Sequence, residues 1–260
     1  MIAAVRTLVC AALATAALGA QAGRTCENKA PNAATIDRAL TLAQHTAARL
    51  DDSGAQVVVL ARAGQNLGEY GLRYSHFGFA YREGGAWRVV HKLNQCGTAR
   101  ASIYRQGLGE FFLDDLYEYE AAIVIPTPRV QAALIDALRD NARLATLHTP
   151  AYNMVAYPWS QTYQQSNQWA LETLAMTQDP IAARSREQAQ AWLRVKGYTP
   201  STLHIPALKR LGARLTAANI AFDDHPNEKR FTDRIETVTV DSVFAWLNRS
   251  GLGGTVQVIR

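Results

Sequence analysis

Two histidines at matching ends of a predicted β-hairpin are the residues of this sequence best placed for chemistry. In residues 74–94, aromatic residues alternate with small ones before a Glu-Gly-Gly turn at 83–85, and β-branched residues follow it. His76 opens the first predicted strand and His91 closes the second. Because an antiparallel hairpin brings such positions side by side, we expect the two imidazoles to lie close together. A single strand histidine is usually a packing or surface residue, so the pair needs a third partner before it indicates catalysis.

Ser166 is the candidate third partner, near the start of a predicted helix over residues 164–175. Ser166, Trp169 and Ala170 follow the spacing i, i+3, i+4, so the serine shares the apolar face of this helix with the tryptophan. The positive end of the helix would stabilise negative charge that develops on the serine oxygen or on a bound substrate. The alternative is a helix-capping or core serine that bonds to the backbone.

The elements that must position these three residues are a mixture of apolar strands and amphipathic helices, which predicts an α+β fold. Beyond the hairpin, strands are predicted near residues 56–62, 101–105, 119–125, 219–222 and 237–240. Helices are predicted over residues 34–50, 129–142, 185–195, 206–218 and 242–247. We divide the chain into a core over residues 23–178 and a helical and mixed C-terminal extension over residues 179–260 that packs on it.

Length and charge limit the classes of function. The 260 residues suffice for one sizeable core, or for one core with an appendage. The net charge of +5 is scattered, without a run of lysine or arginine and without interleaved basic and aromatic residues, which argues against nucleic acid as a partner. Weak attraction to anionic envelope polymers or lipid headgroups fits this charge equally well.

The N-terminus has the pattern of a secretory signal peptide. One positive charge precedes an alanine-rich apolar segment at residues 7–18, which is too short to span a membrane comfortably. Residues 20–22 read Ala-Gln-Ala and fit a cleavage site, so residues 1–22 are the predicted signal peptide. The mature protein is then periplasmic or secreted, with no stable membrane insertion after cleavage. The alternative is an N-terminal membrane anchor.

Cleavage would leave two cysteines, Cys26 and Cys96. An even pair in an exported protein predicts one disulfide, which would tie the mature N-terminus to the segment after the His91 strand. In the chain-entropy description, closing a loop of this size contributes about 4 kcal/mol. The alternative is that one cysteine is a catalytic thiol, although neither lies at a predicted helix start near a histidine.

Two further groups of residues support different functions. Aromatic side chains gather in the loop before Ser166, where they would line a groove for a glycan or peptide in a non-catalytic envelope-binding protein. These residues are Tyr152, Tyr157, Trp159 and Tyr163. A third, weaker hypothesis is a metal site built from His76, His91 and a carboxylate such as Asp114. No cofactor is implied by the sequence.

The hairpin and the later helix together resemble the permuted branch of the papain-like NlpC/P60 superfamily, which includes lecithin:retinol acyltransferase-like and YiiX-like proteins. In that branch the histidine strand precedes the nucleophile helix. Its nucleophile is a cysteine, followed three residues later by a large aromatic residue and then by a small apolar one. Ser166, Trp169 and Ala170 fit this spacing, with serine where cysteine belongs. The mature chain also looks like an uncharacterised family of exported bacterial proteins that carry this serine.

The resemblance implies a permuted papain-like core, with an antiparallel sheet and packed helices, and it implies roles for three residues. His76 would be the general base, His91 would orient it, and Ser166 would be the nucleophile. A serine hydroxyl is not ionised near neutrality, so it depends on a close base and an oxyanion hole. Two outcomes follow: a hydrolase or acyltransferase acting on an amide or ester in the cell envelope, or a binding scaffold that has lost catalysis. Peptidoglycan peptide and lipid acyl groups are the substrate classes implied.

Overall fold

Helices and antiparallel strands build the part of the chain that the computed structural model describes, residues 30–114 and 116–260. The strands are β1 (Val57–Ala63), β2 (His76–Glu83), β3 (Ala86–Asn94), β4 (Ala101–Gly107), β5 (Glu118–Val124), β6 (Ser201–His204), β7 (Arg234–Thr237) and β8 (Gln257–Ile259). The helices are α1 (Ala33–Asp52), α2 (Leu108–Phe112), α3 (Pro128–Leu138), α4 (Asn141–Ala145), α5 (Ser166–Gln178), α6 (Arg186–Val195), α7 (Ala207–Thr216), α8 (Asn227–Arg230) and α9 (Val240–Arg249). A short 3-10 helix spans Gly68–Tyr70.

The main sheet has six antiparallel strands in the order β4-β3-β2-β1-β5-β8, which confirms the predicted α+β class. The predicted hairpin is present as β2 and β3, which pair from Phe79 with Val90 to Glu83 with Ala86. Gly84 and Gly85 form its turn with φ of 57° and 83°. Positive φ at both positions is the geometry that tight hairpin turns favour, and glycine adopts it without strain.

Helices cover both faces of this sheet, and the alternation of residues along β1 shows how. Val57, Val59 and Ala61 join the apolar cluster that contains residues of α3, α5, α6 and α9, which we call the α5 face. Val58 and Leu60 join the cluster with residues of α1 and α2, which we call the α1 face. Since side chains on a strand alternate between the two faces, an apolar run such as this one is buried from both sides.

The C-terminal residues pack on the rest of the chain rather than standing apart from it. Helix α6 lies against α5, strand β8 pairs with β5, and α9 is buried in the α5-face cluster. Strands β6 and β7 pair with each other and, with α7, enclose a smaller apolar cluster. We call residues 201–237 the small lobe.

Two strand predictions in this region were wrong. Residues 219–222 are irregular: Ile220 and Phe222 are buried in the small lobe, so their alternation reflects packing without a strand partner. A strand at 237–240 is replaced by the end of β7 and the start of α9, because Thr239 caps that helix in a reciprocal arrangement with Ser242.

The N-terminal predictions fall on a part of the chain that the structure does not describe. The signal peptide over residues 1–22 lies outside the described residues, as does Cys26, so the disulfide with Cys96 stays a prediction. Among the residues from 30 onward that are described, no helix is long and apolar enough to cross a membrane.

Candidate functional site

The hairpin brings the two histidines into direct contact, as the sequence predicted. His76 Nε2 and His91 Nδ1 are 2.8 Å apart, and the ring centroids are 5.1 Å apart. Gly78 makes this possible: a Cβ at that position would lie 2.8 Å from the His91 Cβ and 2.7 Å from the Val90 carbonyl oxygen. Any larger residue would therefore displace His91 from its place beside His76.

The histidine pair continues into a chain of polar side chains that fixes the position of each proton. Glu110 accepts a hydrogen bond from Gln106 Nε2 at 3.0 Å, which leaves Gln106 Oε1 to accept from His91 Nε2–H at 2.7 Å. His91 Nδ1 is then an acceptor and receives the Nε2–H of His76. The remaining nitrogen, Nδ1 of His76, carries a lone pair. Within the described part of the chain, no hydrogen bond is made to it.

The surroundings keep both imidazoles neutral. Burial, reinforced by the positive charge of Arg62, lowers the pKa of His76 well below its usual range. Burial and Arg62 together lower the pKa of His91 to about 3. The Phe111 ring packs against both imidazoles, and the Arg62 guanidinium lies over that ring while pairing with Asp114. At neutral pH, His76 is therefore in the unprotonated form that can accept a proton.

The imidazoles and the body of α5 lie on opposite faces of the sheet. Phe77 and Phe79 are in the α5-face cluster, whereas His76 points with Arg62 toward Phe111 on the α1 face. The two sides meet where the pairing of β2 with β3 ends, before Phe79. There the side chain of Asn167 accepts from Phe77 N–H at 3.2 Å and donates to the Ser75 carbonyl at 3.3 Å. The first turn of α5 is thereby held against the backbone on either side of His76.

Ser166 is the first residue of α5 and is 6% exposed. The N-cap position is Gln165, so Ser166 is not the capping serine that was the alternative prediction. The Ser166 side chain interacts with the hydroxyl of Tyr152; burial raises the pKa of Tyr152, and this interaction opposes the rise. Among the described residues no hydrogen bond joins Ser166 to either histidine. The structure thus brings the two histidines into contact. Ser166 immediately precedes Asn167, whose side-chain amide binds the backbone on either side of His76.

The remaining aromatic residues of the loop pack against the C-terminal extension. Tyr152 alone of the four contacts Ser166, and it is buried. Tyr157, Trp159 and Tyr163 have partners in that extension, which are His225 at 5.1 Å and Tyr198 at 6.1 Å between ring centroids, and Asp223 at 3.3 Å from the Tyr163 hydroxyl. This arrangement ties the loop before α5 to residues 198–225.

A buried charged cluster on the α5 face holds the same loop. The Lys92 ammonium donates to the carbonyl oxygens of Thr149 and Gln164 and to Gln164 Oε1, at 2.7 to 2.8 Å. Glu172 accepts from Gln164 Nε2 and from the Arg186 guanidinium, which also donates to backbone carbonyls of the loop. The segment that delivers Ser166 is therefore fixed at both ends.

Sequence patterns did not identify Gln106, Glu110, Arg62 or Asn167 as parts of this site. The alternation along β4 carries the only signal: Tyr104 pairs with His91, and Gln106 lies two residues further on the same face. That signal becomes usable only when the strand register is known. Asp114, the carboxylate of the metal hypothesis, pairs with Arg62. The described residues contain no group of three side chains able to hold a metal ion.

In a comparison with protein families, residues 49–247 match a family described as uncharacterized protein conserved in bacteria (DUF2145). No curated protein and no solved structure matches the chain. The matched residues include the hairpin, Ser166 and most of the C-terminal extension.

Proposed function

The chain belongs to this bacterial family, whose match covers well over half of it, and we propose that its site performs acyl transfer. The reaction would be hydrolysis, or transfer of the acyl group, at an amide or ester bond of the cell envelope. One observation carries this proposal: among the described residues, the chain from Glu110 through Gln106 and His91 leaves the lone pair of His76 Nδ1 without a hydrogen-bond donor. A neutral imidazole with one fixed acceptor nitrogen can accept a proton as a general base.

In the proposed reaction, Ser166 Oγ attacks the carbonyl carbon while its proton passes to His76 Nδ1. The imidazolium keeps its Nε2–H bond to His91 and then returns the proton to the leaving group. An acyl-serine remains, and water or another acceptor attacks its carbonyl carbon while His76 again takes the proton. The bond from the acyl carbon to Ser166 Oγ then breaks, and His76 returns the proton to that oxygen. Before the first step, the Ser166 hydroxyl must exchange its Tyr152 partner for His76. In this proposal, the exchange takes place when the substrate carbonyl binds at the start of α5.

The substrate is proposed to be peptidoglycan peptide or a lipid acyl group, and the protein to act in the periplasm or outside the cell. The location rests on the predicted signal peptide over residues 1–22. The positive end of α5 would stabilise the oxyanion that forms during attack.

A fluorophosphonate probe tests the proposal, since it forms a stable bond only with an activated serine. We expect one probe per chain by mass spectrometry, no addition to Ser166→Ala, and a labelling rate at least about a hundredfold lower for His76→Ala. Ser102→Ala is the matched control, because Ser102 lies on β4 outside the site, and it should label like the parent. Labelling that persists in Ser166→Ala would contradict the proposal.

A non-catalytic envelope-binding protein is the second candidate, and the contact between Ser166 and Tyr152 favours it. A serine held by a buried tyrosine is a packing element. In that case the folded protein never reacts with the probe but binds peptidoglycan fragments or lipid, and Ser166→Ala leaves that binding unchanged.

A further inference from the structure

Helix α7 presents its largest apolar side chains to water. Leu208, Leu211 and Leu215 have exposed fractions of 82%, 56% and 78%. Their spacing of three and four residues places them in one stripe along the helix. A contiguous stripe of this kind is unusual on the surface of a folded protein and indicates a partner.

The opposite side of α7 attaches it to the small lobe through small residues. Ala213 is buried there, and Ala217, just beyond the end of the helix, packs against the same apolar cluster. The usual arrangement of an amphipathic helix is therefore reversed, since Ala213 faces the protein and the leucines face solvent. The leucines contribute little to the folding of the lobe, so their placement requires another explanation.

The charged residues of α7 indicate what kind of surface its leucine stripe would bind. The helix carries Lys209, Arg210 and Arg214 and has no acidic residue. At 100° per residue, Lys209 and Arg214 lie on either side of the leucine stripe. Lys209 also reaches Glu69 at 2.6 Å, whereas Arg214 is exposed. An apolar stripe bordered by cations complements a surface that is apolar beneath a layer of negative charge.

A further exposed apolar side chain lies on a segment joined to α7. Phe231 follows α8 and is 73% exposed. The Arg210 guanidinium donates to the Arg230 carbonyl at 2.6 Å, which joins α7 to the residue before this phenylalanine. Because Arg210 lies on the side of the helix away from Leu208 and Leu215, this bond does not place Phe231 in the stripe, and the exposed leucines alone define one side of the small lobe.

We propose that this side of the small lobe docks on an anionic phospholipid membrane surface. The leucines would enter the boundary between headgroups and acyl chains, and the flanking cations would meet lipid phosphates. The proposed contact is peripheral, since the leucines would reach only the boundary between headgroups and acyl chains. The inference stands on the surface of α7 and does not depend on acyl transfer.

Docking would bring the candidate site close to the lipid. Asn219 of the small lobe donates to Asn94 Oδ1 at 2.9 Å, and its carbonyl accepts from Met154 N–H at 2.8 Å. Asn94 ends β3, three residues after His91. The lobe therefore packs on the same end of the sheet at which β2 begins.

Vesicle co-sedimentation tests the proposal with the full chain and two kinds of vesicle, one of phosphatidylcholine alone and one containing about a third phosphatidylglycerol. We expect binding to the anionic vesicles that weakens as salt is raised. Combined Leu208→Ser, Leu211→Ser and Leu215→Ser should lower the partition coefficient on the order of a thousandfold, since each leucine that leaves water contributes about tenfold. Arg214→Glu should weaken binding to the anionic vesicles alone.

The matched control is the double variant Ile181→Ser and Val195→Ser, which removes two similarly exposed apolar side chains elsewhere. It should bind like the parent. The apolar N-terminal segment is present in the parent and in every variant, so it cannot account for a difference in binding between them. Circular dichroism confirms that the serine variants stay folded. Equal binding by the triple variant, no binding by the parent, or a concentration-dependent dimer that the triple variant abolishes would each overturn the proposal.

Discussion

Two polar clusters are buried against opposite faces of the same sheet, and they differ in whether every polar atom has a partner. On the α5 face, Lys92 uses three donors on three acceptors, and Glu172 is held by Arg186 and by the amides of Gln164 and Gln190. On the α1 face, the chain that runs from the Glu110 carboxylate through Gln106 to two neutral imidazoles ends at His76 Nδ1, to which no hydrogen bond is made within the described residues.

The difference separates a cluster that fixes structure from one that can do chemistry. A saturated network of buried charges orders the loop it joins, and removing one member leaves another charge without compensation. A neutral network with one open end can accept a proton at that end without breaking its other bonds. The two clusters should therefore respond differently to substitution and to pH.

The largest expected effect comes from breaking the charged cluster. Glu172→Ala leaves the buried Arg186 guanidinium without its carboxylate, and we expect a loss of about 3 to 5 kcal/mol in the free energy of unfolding. Denaturant unfolding followed by circular dichroism measures it. Glu69→Ala is the control, because the pair of Glu69 with Lys209 is at the surface, and it should cost less than about 1 kcal/mol. Equal costs would show that the buried cluster has no special structural role.

The next effect concerns pH and the neutral cluster. The folded pKa values of His76 and His91 lie below the ordinary value of 6.5, so the unfolded chain binds more protons between that value and the folded pKa. Stability is therefore undiminished above about pH 6.5 and falls as pH drops, by up to about 1.4 kcal/mol per pH unit for each histidine. Replacing His91 by Gln should reduce this slope by the contribution of one histidine, which is up to about 1.4 kcal/mol per pH unit.

Unfolding by guanidinium chloride at several pH values between 4 and 8 measures these slopes. Above pH 7, plots of the free energy of unfolding against pH should be parallel for the parent and His91→Gln, because both histidines are then neutral in the folded and unfolded states. Identical slopes below pH 6 would show that His91 is protonated in the folded protein, and the proton positions assigned to the chain would then be wrong.

The fold was more predictable from sequence than the site. A short apolar run predicted β1, alternation predicted the hairpin, and helical spacing predicted α1, α3 and α5. The short elements α2, β6 and β8 were missed, since three to five residues carry too little periodicity. Of these, α2 matters most for the site, because it brings Glu110 and Phe111 to the histidines.

The site shows the same division between local and long-range information. The contact of His76 with His91 follows from a hairpin, which is a local structure. The place of Ser166 depends on how Asn167 meets β2 across about ninety residues of chain, and no spacing encodes that contact. The strand alternation that predicted the hairpin also places the imidazoles on the α1 face, which becomes apparent only with the positions of the helices.

The smallest expected effect isolates the open end of the neutral chain. Gln106→Leu removes the acceptor that holds the His91 proton on Nε2, so His91 can donate from Nδ1 and His76 loses its single tautomer. We expect the free energy of unfolding to change by less than about 1 kcal/mol. Imidazole nitrogen NMR should show His76 protonated on Nε2 in the parent and a mixture of tautomers in the variant.

If His76 acts as a base, the same substitution should also slow fluorophosphonate labelling by about tenfold, or 1.4 kcal/mol in activation free energy. Gln95→Leu is the control, because Gln95 is exposed near the end of β3 and its side chain does not contact the histidines. A single unchanged His76 tautomer in Gln106→Leu would mean that contacts other than the chain from Glu110 fix the proton. The α1-face cluster would then be ordered by packing, and its contrast with the charged cluster on the α5 face would disappear.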